Sequence, residues 1–474
     1  MAGIFRSASK RYWIVLLLIL LLSAGLRFGL VRYNRDSNDN HDLVIIRIME
    51  TGKLPEKEDC WECFQPKLFH YTSAKLLQLA GVDPENADKR VNLGAGLLNF
   101  AAGLLTLVII ALMITRIPSA SETLKLVAFG LVALNPDLIG ISSQATNDPF
   151  AILFSTLAIY FTLLFMEQRK FWKILLVVIF TVLGISTKTN LWVTAVAITL
   201  ALLVHARVSR KAVLSQVVAS LAFLVVVAGL SILNPLNQYI SNAKKYGSPV
   251  LVNVERESLP ALFTKTESSH PGLLSIADGI FTFRFIDLIS HPLIQNGDTY
   301  TPNRTSLWAQ VYGRAHSIHF PNWPGTWSAK TEEGSNLTRA LFIFALPPTL
   351  LLLLGAVLET VKSVKIILKP DAALGAKNSF ALLSLVFIGY VLFLILYTIL
   401  YRNFSVMKAI FIYPALPAFP VFFIRGTQWL ISRIHRNGRI VKAIAIAWVT
   451  TLFALYTVDV ITMIQLIYSR VTLK

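Results

Sequence analysis

The chain has 474 residues, 55% of them hydrophobic and only 15% charged, and carries a formal net charge of +18. A soluble domain of this length holds about a quarter charged residues, so the composition excludes an ordinary water-soluble enzyme. The basic excess does not describe a nucleic-acid-binding face either, because Lys and Arg fall in short clusters between long apolar runs.

A short basic tail with Arg6, Lys10 and Arg11 precedes the first apolar run, Trp13–Val31. That run exceeds the ~7–15 residue core of a signal peptide, and no small-x-small cleavage site follows it, so it is expected to stay as a first membrane helix. About eleven spans are predicted in all, near 12–31, 91–114, 124–142, 150–166, 172–186, 190–206, 213–233, 339–359, 378–399, 408–425 and 441–466. Backbone polar groups find no water in hydrocarbon, so the spans must be helices packed on one another. The expectation is an all-α, polytopic membrane protein forming one integrated domain over residues 1–474.

Arg116 with Lys125, Arg169–Lys173, Arg207–Lys211, Lys362–Lys377 and Arg425–Lys442 mark basic connections after alternate spans. By the positive-inside rule these face the cytoplasm, as does the N-terminus. Two large segments are then external. The first, 32–90, contains stretches 41–51 and 67–80 whose mixed pattern suits helices lying in the interface. The second, 234–338, is far longer than an ordinary connection and is expected to be functional. Gly94, Gly96, Ala102 and Gly103 in the second span read as small-residue helix packing rather than a nucleotide loop.

The residues able to carry chemistry gather on the external side. Asp39 and His41 follow the first span closely, and Glu62 and Gln65 lie further along the same loop. Thr146-Asn147-Asp148-Pro149 opens the fourth span, with Asp148 as a good N-cap and Pro149 as a good first helical residue. Two carboxylates at a membrane surface can take a proton from a hydroxyl or hold a divalent cation with phosphate oxygens. Lys188, Arg402 and Lys408 are cations where the topological bias disfavours them; such groups either snorkel or clamp a phosphate leaving group. Cys60 and Cys63 read as a local disulfide or two free thiols, since a zinc site needs four ligands and His70 is the only further one nearby.

An aspartate soon after the first helix, Gln65-Pro66-Lys67-Leu68, Thr146–Pro149, and a basic residue leading into Tyr413-Pro414-Ala415-Leu416-Pro417 together resemble the GT-C superfamily of membrane glycosyltransferases. They are similar to the protein O-mannosyltransferases and the lipid A aminoarabinose transferases. The resemblance implies a polyprenyl-phosphate sugar donor, an acceptor hydroxyl on a glycan, lipid or protein, Asp39 as catalytic base and Asp148 as its helper. The active site is then expected to be external, in a bacterial plasma membrane more than in an endoplasmic reticulum, with His41, Glu62, Gln65 and the Trp308–Trp323 region shaping the pockets. Lys188, Arg402 and Lys408 would hold the lipid phosphate. Any metal would sit on Asp39 and Asp148, and a divalent cation or none fits the family. The chain departs from it where Asn40 follows Asp39 in place of a glutamate, which leaves Asp36 as a competing base, and where Lys67 replaces a second proline. A flippase or transporter of polyprenyl-linked glycans is the rival reading; it calls for ionisable residues deep in the spans, where Asp137 and Asp459 are the main candidates.

Overall fold

The computed structural model describes residues 8–34, 40–84, 88–117, 120–209, 213–253, 276–292, 306–317, 332–368, 379–401, 406–433 and 438–472. Among these residues the structure is helical, with short 3₁₀ turns and no strand. Asp36, Asp39, Arg402 and Trp323 lie outside them.

Seven helices are long and apolar enough to cross a membrane: α1 (Lys10–Tyr33), α4 (Asp88–Thr115), α7 (Asp148–Glu167), α10 (Val213–Leu233), α15 (Glu332–Leu368), α16 (Ser379–Tyr401) and α18 (Gly438–Thr472). The chain is a multi-pass membrane protein. Between α1 and α4 lie α2 (His41–Thr51) and α3 (Leu68–Leu79), at the positions expected for the first external helices. The remaining helices include α5 (Glu122–Ala133), α6 (Pro136–Ile141), α8 (Phe171–Ile185), α9 (Trp192–Ser209), α11 (Tyr239–Tyr246), α12 (Ile276–Phe281), α13 (Phe285–Ser290), α14 (Leu307–His316) and α17 (Ala418–Arg433).

Four of the expected spans are therefore short or broken. The run 124–142 is not one helix. Asn135 and Pro136 stop α5 and restart the chain as α6, with the Asn135 side chain accepting from the Leu138 amide at 3.0 Å. Proline in that first turn has no amide to lose. The break frees the Ala133 carbonyl, which accepts from Ser23 Oγ at 2.5 Å and from Arg27 Nη1 at 3.0 Å in α1. The run 408–425 likewise begins as two 3₁₀ turns, Ala409–Phe411 and Tyr413–Ala415, before α17. At ~1.5 Å rise per residue, the 15 residues of α8 and the 16 of α17 fall short of a full crossing.

Buried charge is more abundant than the sequence suggests. Besides Asp137 and Asp459, Arg27 in α1 is almost wholly buried, and Glu359 in α15 pairs with Arg425 in α17 at 3.1 Å. Each of these three helices is apolar on average, which hides a single charge that finds its partner on another helix.

The small-residue face of α4 positions the chain that leads into α7. A Cβ on Gly103 would lie 2.6 Å from Ser142 Oγ, and one on Gly96 would lie 3.2 Å from the Ser143 carbonyl. Between them on the same face, Asn99 Nδ2 donates to the carbonyls of Gln144 (2.6 Å) and Thr146 (2.7 Å). Close approach and two hydrogen bonds thus fix the turn 142–147, and with it the start of α7.

Candidate active site

The turn delivers Asp148 as the first residue of α7, one place later than a capping role requires. Asn147 is the N-cap, yet its side chain makes no capping bond. It is drawn sideways instead, donating to Gln65 Oε1 at 2.5 Å and to the Thr187 carbonyl at 3.1 Å. Asp148 is then free to accept from Thr146 Oγ1 (3.0 Å) and from Lys188 Nζ (2.6 Å). Both members of this ion pair are nearly buried, with side chains 8% and 12% exposed. The Lys188 ammonium also lies over the Phe411 ring, 5.3 Å from its centre.

The loop between α2 and α3 is tied to the same place. Gln65 donates to Glu62 and accepts from Asn147, so it links the loop to α7. The Lys67 amide donates to Leu236 and the Leu68 amide to Ser186, both at 2.9 Å. The Lys67 side chain is fully buried and donates to the carbonyls of Cys63 and Gln65, each at 2.5 Å. Burial pushes its ammonium down to about 7, against the opposing pull of Glu62 and Asp59. Cys60 and Cys63 form a disulfide that closes this small loop.

These contacts surround a cavity of about 610 Å³. His41, Glu62, Gln65, Asp148, Lys188 and Lys408 all line it, so the six described residues singled out from the sequence meet at one place. One wall is apolar and aromatic, built by Phe393, Leu396, Tyr397 and Leu400 of α16. Val250–Asn253, in the segment that follows α11, form another part of the lining. That segment is held over the first loop by Lys245, which pairs with Glu56 and lies 3.5 Å from Glu58, and by the Tyr246 hydroxyl, which donates to Glu58.

Trp308 does not join this cavity. It lines a second one of about 470 Å³, together with Tyr312, His316, Leu346, Phe387, Tyr413 and Tyr456. Its indole donates to the Ile280 carbonyl at 2.6 Å. The two cavities flank the stretch Lys408–Tyr413: Lys408, Ile410 and Phe411 line the first, Ile412 and Tyr413 the second.

Among the described residues no group of three His, Cys, Asp or Glu side chains is placed to hold a metal ion. Both Asp148 oxygens have partners in this structure, Lys188 and Thr146. Sequence reading gave no role to Asn147 or Lys67, and weighed His70 only as a zinc ligand. Asn147 stood beside Asp148 in the motif and Lys67 at a departure from the family pattern, and those were the only signals of their place.

Residues 80–243, about a third of the chain, match the family model of dolichyl-phosphate-mannose-protein mannosyltransferase. The chain resembles the protein O-mannosyltransferases of the GT-C superfamily. The matched stretch contains Asp148 and Lys188; His41, Glu62, Gln65 and Lys408 lie outside it. No match is found among curated proteins. Solved structures similar to the chain include the protein O-mannosyltransferase Pmt1-Pmt2 complex of S. cerevisiae bound to the sugar donor, at 15% identity and a TM-score of 0.37 over 49% of this chain and 34% of that one. The oligosaccharyltransferase AglB of Archaeoglobus fulgidus, in complex with an inhibitory peptide and a dolichol-phosphate, gives 12% and 0.48 over 95% and 56%. ArnT of Cupriavidus metallidurans bound to undecaprenyl phosphate gives 13% and 0.38 over 90% and 79%. The chain thus spans about a third of the length of the first of these and just over half of the second.

Proposed function

We propose that the chain is an inverting glycosyltransferase that moves a sugar from a polyprenyl phosphate to an acceptor hydroxyl at the outer face of the membrane, in a bacterial plasma membrane. The observation that carries this reading is the makeup of the 610 Å³ cavity. It sets two carboxylates, Glu62 and Asp148, and two ammonium groups, Lys188 and Lys408, against a wall of apolar and aromatic side chains from a membrane helix. A lipid phosphate has that same duality: an anionic head on a hydrocarbon chain.

In the reaction the acceptor oxygen bonds to the anomeric carbon while the bond from that carbon to the phosphate oxygen breaks. The hydroxyl proton goes to a carboxylate, for which Asp39 is the residue, and the lipid leaves as a phosphate monoester. Negative charge grows on the departing oxygen, so cations held near it lower the barrier more than they tighten ground-state binding. Lys188, Lys408 and Arg402 take that role. His41, Glu62 and Gln65 shape the sugar and acceptor positions, and the acceptor is a glycan, lipid or protein.

The test uses the full chain reconstituted in nanodiscs with a panel of polyprenyl-phosphate sugars. Wild type is expected to release lipid phosphate with inversion at the anomeric carbon. Asp39→Asn should lose at least ~10²-fold in turnover and keep donor binding, because it removes a proton acceptor and preserves shape. Unchanged turnover in Asp39→Asn would overturn the base assignment. Movement of the intact donor across a vesicle membrane without sugar release would favour the transport reading instead, which buried Arg27 and Asp459 keep in view.

A further inference from the structure

Three buried hydroxyls between α7, α9 and α16 lead to the stretch that separates the two cavities, and the proposed mechanism uses none of them. Ser155 lies about two turns beyond Asp148 on α7, Thr194 stands in the first turn of α9, and Tyr390 precedes Phe393 of the cavity wall on α16. All three residues are almost wholly buried. Tyr390 Oη lies 2.8 Å from Thr194 Oγ1, Thr194 Oγ1 lies 3.0 Å from Ser155 Oγ, and Ser155 Oγ lies 2.7 Å from the Pro414 carbonyl oxygen. Pro414 directly follows Lys408–Tyr413, in the second of the two 3₁₀ turns.

Chemistry fixes the direction of this row. A carbonyl oxygen only accepts, so Ser155 gives its one proton to Pro414. The proton in the Thr194–Ser155 contact then comes from Thr194, and the one in the Tyr390–Thr194 contact from Tyr390. Each hydroxyl donates once, and the bonds run one way from α16 through α9 and α7 to Pro414, each polarising the next. The usual partner of a hydroxyl in an apolar helix is the carbonyl one turn earlier, as Thr162 of α7 shows by donating to Ala158 at 2.7 Å. Ser155 instead bonds a residue 259 positions away.

The stretch it reaches consists of two 3₁₀ turns of three residues each, whose hydrogen bonds are poorer than those of an α-helix, so anchors from neighbouring elements matter there. We infer that Ser155 is a positioning residue for the leaving-group side of the cavity: its bond to Pro414 fixes the end of the stretch, and with it the places of Lys408 and Phe411. Phe411 carries the ring that faces the Lys188 ammonium and Lys408 is the second cation of the cavity, so slippage here would disturb both cations at once. Thr194 and Tyr390 orient the Ser155 hydroxyl from behind. The effect on turnover rests on the proposed glycosyl transfer; the anchor itself does not.

Infrared spectra of the full chain in nanodiscs, isotope-labelled at proline carbonyls, test the anchor directly, because a carbonyl that loses a hydrogen bond absorbs at higher frequency. The difference between wild type and Ser155→Ala should show one carbonyl moving up, and Ser155→Thr, which keeps a hydroxyl, should restore the wild-type band. In the transfer assay kcat should fall at least about tenfold in Ser155→Ala with donor KM little changed, and Ser155→Thr should recover most of it. Thr194→Val strands the Tyr390 hydroxyl yet leaves Ser155 donating to Pro414, so it should lower the melting temperature more than Ser155→Ala does and kcat less. Thr162→Val removes a hydroxyl bonded within its own helix and should leave kcat and the carbonyl band at wild-type values. An unmoved carbonyl band in Ser155→Ala would overturn the anchor, and kcat losses that follow melting temperature across the set would overturn the positioning role. The expected carbonyl shift in a protein that transfers no sugar would uphold the anchor and overturn only the proposed function.

Discussion

The two cavities that flank Lys408–Tyr413 differ in what their polar groups are committed to. In the apolar one each polar side chain ends on a neighbour that belongs to the fold. His316 Nδ1 bonds the Tyr456 hydroxyl at 2.7 Å and Nε2 bonds Thr349 Oγ1 at 2.9 Å. The Tyr413 hydroxyl donates to Asp137 at 2.6 Å, and Tyr312 donates to the Phe342 carbonyl. In the polar cavity the central contact is an ion pair, Asp148–Lys188, whose members can trade one partner for another of like charge. Polar groups of the first kind hold helices together. Those of the second kind are available to a ligand, so substitutions on the two sides should separate stability from turnover.

The largest effect should come from the ion pair. Lys188→Met strands a nearly buried carboxylate, costing about 3–5 kcal/mol, and should cut turnover by ~10²-fold or more if the ammonium faces the leaving phosphate. Combining it with Asp148→Asn should restore much of the stability and none of the turnover. Thermal unfolding of both single variants and the double variant checks this; strictly additive losses would mean that the two groups do not act as a pair.

Lys408→Glu should come next, lowering kcat/KM for the lipid-phosphate donor by at least about tenfold through like-charge repulsion in a low-dielectric site, with the melting temperature unchanged. Normal donor kinetics would remove Lys408 from the phosphate site. On the apolar side, His316→Leu leaves two hydroxyls without their ring partner and should cost about 1–3 kcal/mol. Turnover at saturating donor should stay at the wild-type level, and a selective loss of turnover would erase the distinction between the cavities. Glu56→Gln with Glu58→Gln should do least. These pairs to Lys245 and Tyr246 are exposed, and exposed pairs contribute little, so the melting temperature should not move.

The helices were legible because apolar windows of membrane length state their own structure: α1, α4, α7, α10, α15, α16 and α18 fall where the spans were expected. The break at Asn135–Pro136 was not read, although both residues stood in the sequence, because the flanking hydropathy continues through them. Its stabilising partners, Ser23 and Arg27, lie more than a hundred residues away. The site divides the same way. Lys188 and Lys408 were visible through their conflict with the expected membrane topology, and both line one cavity with Glu62 and Asp148. The groups that orient them were not visible, since Gln65 with Asn147 and His41 with His70 are pairings across elements. Asn147 illustrates the cause: local rules assign it or Asp148 to capping, and a long-range bond takes its side chain elsewhere.

The pairing of Lys188 with Asp148 also bears on how a charged lipid head could enter and leave. With a resident carboxylate as counter-ion, the ammonium need not wait bare in a nearly dry site, and an arriving phosphate would displace one anion rather than neutralise an isolated cation. Binding would then be an ion exchange. Such an exchange changes the net charge of the pocket by the ligand's own charge and gives back an anion that competes for the same ammonium once the sugar has moved, so the carboxylate would help to expel the spent lipid.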